Sequence, residues 1–169
     1  MLLKPIDSPD LLRLVAGWLS DKENYQWLEF GDGRQLATPE WLKIATQRGT
    51  HVLRVFTADD GDTPIGVAGF SNLNPHFKTG TYWIVLGDKS RAGRGYASRA
   101  TSRMLTFGFT ELGLQAIQTW IVEHNGSVRV AERVKFRPIG RQRQCHVIDG
   151  KAYDRLWYDL LPSEHEELT

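Results

Sequence analysis
The stretch Lys89-Ser90-Arg91-Ala92-Gly93-Arg94-Gly95-Tyr96-Ala97-Ser98-Arg99 constrains the fold more than any other part of the chain. It follows a β-branched and aromatic run, Thr81 to Leu86, and precedes a helical-period stripe of Ala97, Ala100, Met104, Leu105, Gly108 and Leu112. Strand, glycine turn and helix must therefore follow one another directly. Gly93 and Gly95 let backbone N–H groups turn inward and let a ligand come close. The helix start adds free N–H donors and a partial positive charge. Acidic residues are favoured in a first helical turn, yet none occurs from Lys89 through Thr110, where Lys89, Arg91, Arg94, Arg99 and Arg103 do. Like charge gathered on a positive helix end is unfavourable unless an anion offsets it. A phosphate-bearing ligand is the expectation; a solvated basic helix behind a flexible turn is the alternative.

The sequence narrows the kind of phosphate ligand. A nucleotide phosphate loop needs Gly-Lys-Ser/Thr after a fixed lead, and neither Gly150-Lys151-Ala152 nor Gly87-Asp88-Lys89-Ser90 fits that spacing. A dinucleotide fingerprint would read Gly93-Arg94-Gly95-Tyr96-Ala97-Ser98, with Ser for the third Gly, and it belongs after a first strand, whereas here two strands precede this one.

Around the loop, Ser8-Pro9-Asp10 and Thr38-Pro39-Glu40 are helix starts. The first leads into Leu11 to Leu19, the second into Trp41 to Ala45, and an irregular aromatic segment, Asp21 to Gly33, joins them. Strands are expected over 51–57, 65–71, 81–86, 116–122, 136–147 and 152–161, and a short helix over 128–134. Gly113 is expected to cap the long helix. The order ααβββαβαββ describes an α/β (α+β) domain around a mixed sheet.

The chain has 169 residues, 41% of them hydrophobic, which suits a single domain over 1–169. Lys plus Arg number 21 against 20 Asp plus Glu, so a dedicated nucleic-acid surface is not expected. One cysteine, Cys145, permits no internal disulfide and fits a reducing cytoplasm. No apolar run approaches the roughly 20 residues of a membrane span, and no metal-ligand spacing occurs.

At this point the residues resemble the GNAT superfamily of acyl-CoA-dependent N-acyltransferases. Its pyrophosphate loop reads Gln/Arg-x-x-Gly-x-Gly/Ala. Gly95 and Ala97 match the last two anchors, while Ala92 stands where Gln or Arg is usual, with Arg91 beside it. The lead-in Leu86-Gly87-Asp88-Lys89-Ser90 is similar to the RimJ/RimL-like branch, which acetylates protein N-termini. So is Asn125-Gly126-Ser127-Val128-Arg129-Val130-Ala131-Glu132, although Asn125 is one residue closer to Ser127 than usual and Lys135 replaces the usual Gly before Phe136. The tail, Gly150 to Asp154 and the strand after it, also resembles that branch.

The resemblance implies that acetyl-CoA lies between the strand at Ile84–Leu86 and the strand at Ala116–Val122. Its pantetheine would pair with the backbone of Ile84, Val85 and Leu86, and its pyrophosphate would sit on Arg91, Ala92, Gly93, Arg94, Gly95, Tyr96 and Ala97. Asn125 would hold the pantetheine amide, or it is a turn residue. Ser127 would protonate the leaving thiolate, or it is an N-cap. The first two helices and their loop would form the acceptor side. There Tyr25, Glu29 and Phe30 could meet a cationic amine, or form a structural aromatic cluster.

Many relatives carry a Glu base on the strand before the loop; here Thr79 and Thr81 occupy those slots, and no carboxylate occurs between Asp62 and Asp88. Glu123 and His124 could relay a proton or be solvated. An α-amine near 7.7–8.0 is roughly a tenth to a sixth neutral at pH 7, and a lysine near 10.4 about 0.04%. A site without a strong base therefore suits an α-amine or amino sugar, so the expected partners are a small-molecule amine or a protein N-terminus. A homodimer is compatible with this reading. The absent Glu also motivates another function, a non-catalytic acyl-CoA-binding sensor on the same fold.

Overall fold
The first three helices start at side chains that take over backbone donors. The computed structural model describes residues 1–29 and 37–168. In it Ser8 Oγ accepts the Leu11 N–H at 3.2 Å and opens α1 (Pro9–Ser20). Thr38 Oγ1 accepts the Trp41 N–H at 3.1 Å and opens α3 (Pro39–Gln47). The segment between them is not wholly irregular. Asp21 ends α1 and its carboxylate accepts the Glu23 N–H, starting the short α2 (Lys22–Tyr25). Four residues are too few to show a helical period in the sequence.

The strands are β1 (Leu3–Lys4), β2 (Val52–Thr57), β3 (Pro64–Asn74), β4 (Thr79–Leu86), β5 (Ala116–Val122), β6 (Arg137–Ile148) and β7 (Lys151–Leu160). They form one sheet in the order β1-β2-β3-β4-β5-β7-β6. The two-residue β1, unseen in the sequence pattern, pairs Leu3 with Phe56 and Lys4 with Val55. Every neighbouring pair is antiparallel except β4 and β5, which run parallel because the long helix α4 (Tyr96–Thr110) carries the chain back across the sheet.

Side-chain alternation along β4 divides the core. Tyr82, Ile84 and Leu86 join Phe70, Met104, Leu105 and Ile117 on the face covered by α4. Trp83 and Val85 join Val15, Leu42 and Val67 on the face covered by α1 and α3. Gly108 lets α4 lie close to the sheet, since a Cβ there would stand 2.7 Å from Phe70 Cζ. The C-cap of α4 is Glu111, and Gly113, with φ of 64°, lies in the turn beyond it. After α5 (Val128–Arg133), Lys135 takes a φ of 65°, which accounts for a family preference for Gly there.

Candidate active site
The one parallel pair comes apart, and that separation makes the site. β4 and β5 are in register only at Thr79–Ala116, Gly80–Ile117 and Thr81–Gln118. Beyond them β4 stays with β3 as far as Leu86, while β5 follows β7 as far as Val122. At the apex the buried Thr119 Oγ1 donates to the Tyr82 carbonyl at 2.9 Å, in place of a further ladder bond. A cleft of about 240 Å³ opens above it, walled by residues 82–86 of β4 and 119–122 of β5.

Backbone parity decides which groups face this cleft. Because the Tyr82 carbonyl points toward β5, the N–H and C=O groups of Ile84 and Leu86 point the same way. Val85 lines the cleft, but its backbone faces β3, where its carbonyl would stand 2.6 Å from a Cβ on Gly66.

The cleft runs on to the glycine loop. Asp88 accepts from the Ser90 N–H and hydroxyl and caps a single 3₁₀ turn, Lys89–Arg91. Gly93 and Gly95 follow with φ of 75° and 77°, and α4 begins with no side-chain cap. Arg99 is the first residue to donate back into the helix, to the Gly95 carbonyl at 3.1 Å. Among the described residues nothing accepts the N–H groups of residues 93–98. Such a row of free donors at a helix start is what a phosphate group requires.

The surplus of positive charge is smaller than the sequence implied. Asp59, from the turn before β3, accepts from the Tyr96 hydroxyl at 3.0 Å and from Arg99 at 2.8 Å. Arg103 donates to the Met1 carbonyl, and Arg91 pairs with Asp88 at 3.4 Å. Lys89 lines the cleft and donates to the Asn24 side chain, whose Nδ2 in turn donates to the Trp18 carbonyl at 2.8 Å. Burial pushes the Lys89 ammonium down, while Glu23 and Asp21 act the other way. Exposed Arg94 has no partner among the described residues. A second cation reaches the loop from α5: Arg133 Nη1 would stand 3.8 Å from a Cβ on Gly95. Sequence reasoning left Arg133 without a role, because only the packing of α5 on α4 brings it there.

Ser127 and Asn125 both line the cleft. Asn125 Oδ1 accepts the Ser127 N–H at 2.8 Å, as a turn residue would. The Ser127 side chain makes no capping bond, so its hydroxyl remains available to the cleft. Glu123 instead serves the framework. It accepts from Arg141 at 3.1 Å and from the Asp154 N–H at 2.9 Å, while His124 is 77% exposed.

A second cavity of about 140 Å³ adjoins the first on the α1–α3 side. Trp27, Leu28, Tyr82, Trp83 and Trp120 line both, so the two meet through the gap between β4 and β5. Tyr25 and Glu29 line this second chamber, as do Trp41 and His51. Phe30 lies outside the described residues. Burial, with Arg48 nearby, pushes the His51 imidazole down.

One wall is braced from behind. The Arg155 guanidinium stacks on the Trp120 ring at 3.7 Å and donates to His146 Nδ1 at 3.1 Å. Since arginine only donates, Nε2 of the buried His146 carries the proton, which it gives to the Gln26 carbonyl at 2.7 Å. This brace ties the α2 segment to β6 and β7. Nothing in the local sequence around either residue signalled it.

Free N–H groups at a helix start, an extended cleft beside a strand with free backbone groups, and an aromatic-lined chamber at its inner end together suit a long phosphorylated ligand and a second, smaller one. The acetyltransferase (GNAT) domain family matches residues 1–137, and the chain belongs to that family. It is an acetyl-CoA-dependent N-acetyltransferase. It is 26% identical over 176 residues to YdaF of Bacillus subtilis, provisionally named a ribosomal N-acetyltransferase, covering 98% of this chain and 91% of that one. It shares its fold with a spermidine N-acetyltransferase from Vibrio cholerae solved with CoA and spermine, at a TM-score of 0.82, 18% identity and 96% of each chain. It shares it also with RimL, a ribosomal L7/L12 α-N-protein acetyltransferase solved with CoA, at a TM-score of 0.78 and 18% identity, over 94% and 92% of the two chains. No helix among the described residues is long and apolar enough to cross a membrane.

Proposed function
We propose that this chain transfers the acetyl group of acetyl-CoA to a primary amine presented in the second chamber. The observation that carries the reading is the separation of β4 from β5, open at one end to the free N–H groups of residues 93–98 and at the other to the aromatic chamber. Ile84 and Leu86 offer backbone groups to the amides of pantetheine, with Val85 as wall. The N–H groups from Gly93 through Ala97 hold the pyrophosphate, with Arg94 and Arg133 supplying charge. Ala92 and Tyr96 act through the turn and its backbone, and Arg91 by closing the turn on Asp88. Asn125 orients the Ser127 segment.

In the reaction a neutral amine attacks the acetyl carbon, a C–N bond forms and the C–S bond breaks. Ser127 gives its hydroxyl proton to the departing thiolate, the proton lost by the amine passes to water, and water returns a proton to the Ser127 oxygen. With Thr79 and Thr81 where a carboxylate base would stand, the rate follows the fraction of acceptor that arrives already neutral. This favours the α-amine of a protein N-terminus or an amino sugar over a lysine side chain. The names of RimL and of the Vibrio cholerae enzyme point to a ribosomal protein α-amine and to spermidine. The lone Cys145 supports a cytoplasmic setting, and a homodimer belongs to the same proposal.

The test is release of free CoA with a panel of amines. The reading predicts a kcat/KM that rises with pH along one limb set by each acceptor's own pKa. A limb that stays put when acceptors of different pKa are compared refutes the missing-base argument, and binding of acetyl-CoA without turnover of any amine refutes transfer.

A further inference from the structure
The described lining of the second chamber holds little charge. Its walls are aromatic: Tyr25, Trp27, Trp41, Trp83 and Trp120. Among its described lining residues the one carboxylate is Glu29, and His51, pushed down by burial and Arg48, adds no positive charge at neutral pH. The chamber measures about 140 Å³, and a cavity of about 150 Å³ lined by apolar groups holds one benzene ring.

These features select against a polyamine. Each amine of a polyamine is charged at neutral pH, and each charge taken out of water needs a partner. Glu29 can serve one. Aromatic faces attract a single ammonium through their quadrupole and bury apolar carbon, and here Tyr25, Trp27, Trp41, Tyr82, Trp83 and Trp120 supply them.

Resting on the acetyltransferase reading above, we propose that the acceptor is a primary monoamine joined to an aromatic or large apolar body. The amine reaches the gap between β4 and β5, and the body fills the chamber. The chemistry is shared by a free arylalkylamine and by a polypeptide whose first residue is bulky and apolar.

The experiment measures CoA release at pH 7 with phenethylamine, a tripeptide beginning with Phe, a tripeptide beginning with Gly, and spermidine. Compared per neutral amine, at least one of the two aromatic acceptors should exceed both others in kcat/KM by about tenfold or more, and whichever leads on that scale identifies the source. Spermidine or the Gly peptide equalling the aromatic acceptors overturns the inference while leaving acetyl transfer intact. Release with none of the four but with another amine of the panel overturns the inference alone, and release with no amine overturns the acetyltransferase reading as well. Two variants test the chamber directly. Tyr25→Ala should raise the KM of the better aromatic acceptor about fivefold or more and leave that of acetyl-CoA unchanged. Asn72→Asp keeps shape at a lining position whose φ of 52° Asp tolerates. By adding a second carboxylate it should raise spermidine relative to phenethylamine by about fivefold or more. An unchanged ratio in Asn72→Asp, with acetyl-CoA affinity intact, overturns the charge argument.

Discussion

Replacing Gly95 by Asp, with Gly95→Asn as its control, separates charge from shape in the phosphate cradle. Gly95 has φ of 77° and ψ of 2°, a left-handed conformation that Asp and Asn tolerate about equally. A Cβ there meets no other chain atom within 4 Å except Arg133 Nη1 at 3.8 Å, so both side chains fit. The two variants therefore share backbone strain and bulk and differ by one negative charge. At about 4 Å from a phosphate that charge costs about 4 kcal/mol at the effective dielectric of a protein surface and about 1 kcal/mol in bulk water. Gly95 is half-buried beside an exposed Ala92–Arg94, so a value between these limits is expected. A difference of about 2 kcal/mol corresponds to roughly 30-fold weaker acetyl-CoA binding in Asp than in Asn. The Asp carboxylate would also engage Arg133 and withdraw a cation from the loop, which acts in the same direction. Isothermal titration at low and high salt reads the effect. The gap should narrow as the screening length falls from about 10 Å at 0.1 M to about 3 Å at 1 M. Equal affinity of the two variants, or a gap that ignores salt, would refute a phosphate on this loop.

Ser127→Ala should leave urea stability within about 0.5 kcal/mol, because the hydroxyl caps nothing, and should lower turnover on the order of 10²-fold with acetyl-CoA affinity unchanged; normal turnover would return Ser127 to a structural role. Burial pushes the imidazoles of His51, His146 and His165 below 6.5, so between their folded values and 6.5 the unfolded chain holds protons that the folded chain lacks. Stability should thus rise with pH through that window and level off above it, and His146→Gln should flatten the slope of Tm between about pH 5 and 7; an unchanged slope would remove His146 from the titration. Gly87→Ala should cost about 1–3 kcal/mol in urea unfolding, since its Cβ falls within the Trp18 indole beneath the cleft; a neutral result would mean that Trp18 moves freely.

Much of this fold is local in origin and could be read from residues alone. Ser8 and Thr38 before Pro, the stripe from Ala97 to Leu112, and the β-branched runs that became β2 through β5 each carry their own period or cap. The glycine loop was legible for the same reason, because its φ angles, free N–H groups and basic flanks all follow from adjacent residues. What depends on pairing across the chain was not legible. No pattern in Leu3–Lys4 announces β1, which exists only because Val55 and Phe56 lie beside it. The basic excess near the loop was misjudged because Asp59, forty residues before Arg99, neutralises part of it, while Arg133 enters from another helix. The chamber draws walls from α1, α2, α3, β2, β3, β4 and β5, and its brace joins Gln26 to His146 over 120 residues. Local sequence determines which segments form elements and which turn can hold an anion. The divergence of β4 from β5, the facing of Ile84 and Leu86, and the aromatic enclosure arise only when sheet twist and long-range packing set distant residues side by side.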